Sequence, residues 1–107
     1  MMKMIHIDGK TYRAAELTFN NVCLMEEMDA PITRTSKVSF SLLRGYLALC
    51  MNISKEEAGD ILEKHIVDGG NFDELSDAMA EAIETSDFFR RLQENEGTEI
   101  TEVEKEA

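Results

Sequence analysis

The 107-residue chain carries 22 acidic against 11 basic side chains, a net charge of −11, and is 43% hydrophobic with seven Met and no Trp. With no cluster of Lys or Arg to release counterions, nucleic acid and anionic membranes are poor candidate partners; a basic protein, or one whose solubility needs support, fits better. The length predicts one domain, whose core is adequate without disulfides or metal.

The N-terminal stretch Met4-Ile5-His6-Ile7-Asp8-Gly9-Lys10-Thr11-Tyr12-Arg13 places Asp-Gly between β-formers. A type I′ turn needs positive φ at both central residues, which Asp-Gly supplies, so a two-stranded ribbon is predicted over residues 3–7 and 11–14. Such a ribbon is unstable alone. Its free edges, with Ile5, Ile7 and Tyr12, are candidate contacts. His6 is expected to be exposed on it.

From Thr18 the pattern turns helical. Thr18 is read as the cap of a helix running to about Met28, stopped by the chain's one proline, Pro31. Residues 32–37 read as a polar loop carrying Arg34 and Lys37. Residues 38–51 are apolar nearly all round, with Arg44 their one charge. At 1.5 Å per residue this helix is roughly 20 Å long, too short to cross a bilayer, and a helix without a polar face is expected at the centre of the core. Gly45 costs about 1 kcal/mol against Ala there, which points to a close helix–helix approach. Ser54-Lys55-Glu56-Glu57 reads as a capping box, in which the Ser hydroxyl and the Glu carboxylate each take an unpaired backbone N–H. Its helix runs to about Val67 and ends at Asp68-Gly69-Gly70. Asn71, with Glu74 three residues on, opens a further helix with Phe72, Leu75, Met79, Ala82 and Ile83 as its stripe. A short last helix is predicted near Ser86. Residues 94–107 hold six Glu and one Lys, five of the eleven net negative charges, with too little apolar surface to order them; they are predicted to form a disordered acidic tail behind a domain spanning residues 1–93. The fold class is mainly α: an N-terminal β-hairpin followed by a compact bundle of four to five helices.

Chemistry-bearing patterns are scarce. Cys23 and Cys50 sit in apolar runs outside any Cys-x-x-Cys pair and read as small hydrophobes in a reducing compartment. His6 and His65 lack Cys or Asp at ligand spacing, so His65 is expected as a packing histidine on its helix face. Asp68-Gly69-Gly70-Asn71-Phe72-Asp73 lacks the alternating ligands of a calcium loop. No glycine-rich phosphate loop is present, nor the Asp-Ser pair of an acyl carrier protein. No enzymatic activity, cofactor or metal is expected. No signal-peptide pattern or run of membrane-spanning length occurs, so a cytoplasmic location is expected. The remaining feature is Phe88-Phe89-Arg90-Arg91-Leu92. Adjacent residues on a helix point about 100° apart. Either one Phe is an exposed anchor beside two arginines, or one seals the core while the other packs under the tail.

Taken in order, the Ile5-His6-Ile7-Asp8-Gly9-Lys10-Thr11-Tyr12 hairpin, the helix with Phe19, the strongly apolar helix, Ser54-Lys55-Glu56-Glu57-Ala58, the Gly69-Gly70-Asn71-Phe72 turn and Ala82-Ile83-Glu84-Thr85-Ser86-Asp87-Phe88-Phe89 before an acidic tail resemble the tail assembly chaperones of long-tailed bacteriophages and prophages. The resemblance covers roughly residues 3–92. It implies a protein that self-associates and coats the tape measure protein, a very long helical polypeptide. The coat keeps that client soluble until tail tube subunits polymerise around it, and is absent from the finished virion. Many proteins of that family are made both in a short form and, through a ribosomal frameshift, in a longer one. A rival expectation from the acidity is a DNA-mimic or anti-repressor that occupies a basic DNA-binding surface.

Overall fold

The computed structural model describes residues 4–33 and 36–95. Lys3 of the expected ribbon, Arg34 of the expected loop and residues 96–107 of the expected disordered tail lie outside the described residues. The elements are β1 (Met4–Ile7), β2 (Lys10–Arg13), α1 (Phe19–Glu27), α2 (Phe40–Met51), α3 (Lys55–Val67), α4 (Asp73–Thr85) and α5 (Asp87–Asn95). A β-hairpin followed by five helices is the architecture that the residue pattern predicts. Residues 94 and 95, expected to open the tail, instead close α5.

β1 and β2 pair antiparallel, with Ile5 opposite Tyr12 and Ile7 opposite Lys10. Asp8 and Gly9 have φ of 51° and 77°, the left-handed pair that a type I′ turn requires. Alternation along β1 turns Met4 and His6 outward and buries Ile5 and Ile7 completely. β1 lies across α3 and α4, and β2 reaches α2. Burial of each Ile contributes about 1.5–3 kcal/mol, which holds a ribbon too small to stand alone.

α2 is the spine of the fold. Leu42, Leu43, Tyr46 and Leu47 are all buried, and the helix touches α1, α3 and α4. It is also tied to the segment that leaves the hairpin: the Tyr46 hydroxyl donates to the Ala15 carbonyl at 2.7 Å, and the Ala15 N–H donates to Cys50 Sγ at 3.3 Å. Gly45 lets the chain approach closely, but its neighbour is Ala30, just beyond the end of α1, and not a helix flank; a Cβ at position 45 would collide with the Ala30 Cβ.

The ends of α1, α2 and α3 share one device. α1, α2 and α3 are each followed by a residue at positive φ: Asp29 (61°), Asn52 (58°) and Gly69 (100°). In each case the next N–H reaches back five residues: Ala30 to the Met25 carbonyl (2.9 Å), Ile53 to Ala48 (3.1 Å) and Gly70 to His65 (2.9 Å). These are Schellman turns, which satisfy carbonyls that the helix leaves unpaired. Pro31 is therefore not what stops α1; Asp29 already turns the chain two residues earlier, paired with Lys55.

Helix starts follow their predicted caps with small changes. Thr18 Oγ1 accepts the Asn21 N–H (3.2 Å) and Ser54 Oγ accepts the Glu57 N–H (3.1 Å). The Glu57 carboxylate lies 3.4 Å from the Ser54 hydroxyl, which donates to it. Ser39 caps α2, so Val38 and Ser39 precede the helix instead of opening it. Asn71 Oδ1 accepts the Asp73 N–H at 2.9 Å, and α4 begins at Asp73.

Candidate interaction surface

The residues expected to meet a partner divide sharply by burial. Ile5 and Ile7 face the helices, and Phe89 is buried where α5 meets α4. These three are core residues and offer no side-chain surface, contrary to expectation, because strand alternation and the inner face of α5 direct them inward. Tyr12, Phe88 and Leu92 are half-buried against the core, while Arg90 and Arg91 are exposed and Arg90 pairs with Asp87. The two adjacent phenylalanines differ in burial while their rings stay in contact, centroids 5.3 Å apart: Phe89 seals the core, and the half-buried Phe88 also meets Phe19 edge-on at 5.4 Å.

The hairpin edge is also partly covered. In a two-residue hairpin the pair flanking the turn exchanges its hydrogen bonds, which turns the His6 backbone outward. There the His6 N–H donates to Glu74 of α4, whose carboxylate also meets His6 Nδ1 at 3.0 Å. Hairpin and α5 do converge, through Met4, Arg13 and Phe88, on a cleft of about 810 Å³ floored by Leu17 and Ser86.

A different surface is the more apolar one. Phe40 (80% exposed) and Val67 (77%) stand with Val38 and Ile66 around the open end of the α2–α3 pair. The half-buried Phe72, just before α4, closes that end, its ring 5.9 Å from Phe40. Two hollows of about 370 and 480 Å³ adjoin at Phe40, Leu43 and Phe72 and form one groove. Gly59 keeps the α3 side low, and the aliphatic stem of Arg44 passes over it. Glu63 and Asp73 stand at the rim. The sequence holds a signal for this groove in Ile66-Val67, which, like Phe88-Phe89, cannot both face one core.

Polar side chains elsewhere serve to join elements. His65 Nδ1 accepts the Asp8 N–H (3.1 Å), so its proton is on Nε2, which donates to the Asn71 carbonyl (3.0 Å). The ring thus links the hairpin turn to the α3–α4 turn, as a packing histidine would. Lys64 donates to Asp68 and Asp8, which raises its pKa, and Lys55 donates to Asp29, whose pKa is lowered as a result. Burial pushes the Tyr46 phenol and the Cys50 thiol upward. Among the described residues, no three His, Cys, Asp or Glu side chains gather as metal ligands would, and no helix is long and apolar enough to cross a membrane. The chemistry on offer at the groove is apolar docking framed by carboxylates. Compared with protein-family models, curated proteins and solved structures, the chain matches none.

Proposed function

We propose that this chain is a tail assembly chaperone of a long-tailed phage or prophage, which associates with further copies of itself and sheathes the tape measure protein until tail tube subunits replace it. The observation that carries the reading is an apolar groove, bearing exposed Phe40 and Val67, on a small helical protein of net charge −11. An apolar groove accepts the stripe of an amphipathic helix, and the surrounding charge keeps the resulting complex soluble. The order of sequence elements, which resembles that of the family, supports the reading. A phosphate mimic for DNA-binding proteins has no use for exposed aromatic and aliphatic anchors, so the acidic-mimic reading is the less favoured.

Co-expression with a phage tape measure protein, followed by size-exclusion chromatography with light scattering, tests the proposal. A soluble complex holding many copies of this chain per client is expected. An insoluble client beside a compact, solitary chain would sink the reading. Tight binding to basic DNA-binding proteins that collapses with salt would favour the mimic instead.

A further inference from the structure

We infer that the groove between Phe40, Val67 and Phe72 is the seat of a partner helix of one chemical kind: amphipathic, with an apolar stripe flanked by Lys and Arg. The inference rests on the chaperone reading for the partner's identity but on the geometry for its chemistry. Four of the seven large hydrophobic side chains that the described surface exposes, Val38, Phe40, Ile66 and Val67, border this groove. Their clustering gives a helix several anchor points at i, i+3 or i+4 and i+7 spacing.

Charge selects the occupant. Of the acidic side chains of α4, Asp73 lines the groove, while Glu74 turns away to His6 on the hairpin edge. Glu63 stands on the opposite rim, and Arg44 is the one cation among the lining residues. A second copy laid on this face would bring a net charge of −11 against the rim carboxylates Glu63 and Asp73, on a chain of the same net charge. The chain's own segment 94–107, with six Glu and one Lys, would be repelled in the same way. A basic-flanked helix satisfies both the apolar floor and the rim carboxylates Glu63 and Asp73, and the net charge of −11 steers its approach.

The test uses the full chain and two fluorescent helical peptides of about 20 residues, long enough to hold a helix. Both carry the same Leu stripe, one flanked by Lys and the other by Glu. Anisotropy is read for the native protein, a Phe40→Ser, Val67→Ser variant and a Phe19→Ser control from the other cleft. The expected result is binding of the Lys-flanked peptide that falls at least tenfold in the double variant and is unchanged in the control, with the Glu-flanked peptide at least tenfold weaker on native protein. Binding that ignores the double substitution overturns the site. Equal binding of the two peptides, or none of the Lys-flanked one, overturns the partner's chemistry. A native dimer that the double substitution dissociates would show that a second copy takes the groove. Failure here is separable from failure of the chaperone reading. If the double variant solubilises the tape measure protein as well as native protein does, the groove is wrong and the chaperone stands. If neither does, yet the Lys-flanked peptide binds through Phe40 and Val67, the groove stands without the chaperone.

Discussion

Gly45 shows how one missing side chain sets the spacing between elements. Helix propensity favours Ala there by about 1 kcal/mol. The Ala30 Cβ, fixed directly to backbone, leaves no room for the added methyl. Gly45→Ala should therefore cost about 1–3 kcal/mol net, read as a lower urea midpoint by circular dichroism; a more stable variant would mean the approach is looser than described. Tyr46 and Cys50 sit on the same helix and make the fold sensitive to alkali. Burial raises both acids, so the native state keeps protons that the unfolded chain releases from about pH 8.5 for a thiol and about pH 10 for a phenol. Their stabilisation is whole below those values and is lost as pH rises through and beyond them. Urea titrations from neutral to strongly alkaline pH should show falling stability, with its onset delayed in Cys50→Ala. The tyrosinate absorbance of Tyr46 should grow only as the chain unfolds.

At the scale of elements, termini decide more than propensities. Three Schellman turns close α1 to α3, and only Gly69 has the residue type that announces such a turn plainly. Asp29 and Asn52 tolerate the left-handed conformation because their short polar side chains do so more readily than others, a weaker signal in sequence. The start of α5 depends on Ser86, the one buried polar residue in the described core. Its hydroxyl donates to the Leu17 carbonyl at 2.7 Å and accepts the Phe89 N–H at 3.1 Å. Ser86→Ala strands both groups and should cost about 1–3 kcal/mol, with faster hydrogen exchange across α5 than elsewhere. Exchange raised evenly through the molecule would mean Ser86 supports the whole core instead.

For the whole molecule, the buried core and the exposed apolar groove are made by different side chains. Phe40 and Val67 lie outside the core, so Phe40→Ser, Val67→Ser should shift unfolding free energy by no more than about 0.5 kcal/mol per site in a denaturant titration. A large loss of stability would show that these side chains hold the fold together and are not kept for a partner. With Glu63 and Asp73 at its rim on a chain of net charge −11, the groove is expected to hold a Lys-flanked helix less tightly as ionic strength rises yet to keep a salt-resistant part from the apolar floor, separable by titrating salt.

Local rules were enough to read the hairpin, the caps at Thr18 and Ser54, the central place of α2 and the Gly69 turn, because each depends on residues near in sequence. Two periodicities, 2 along β1 and 3.6 along the helices, carried the rest of the element order. The candidate interaction surface was not legible in the same way. Whether an apolar residue is buried depends on which elements cover it: Ile5, Ile7 and Phe89 are covered by α3 and α4, whereas Phe40 and Val67, the first residue of α2 and the last of α3, stay exposed. The pattern of residues determined which faces are apolar; the packing of α2, α3 and the start of α4 decided which of those faces the fold leaves open.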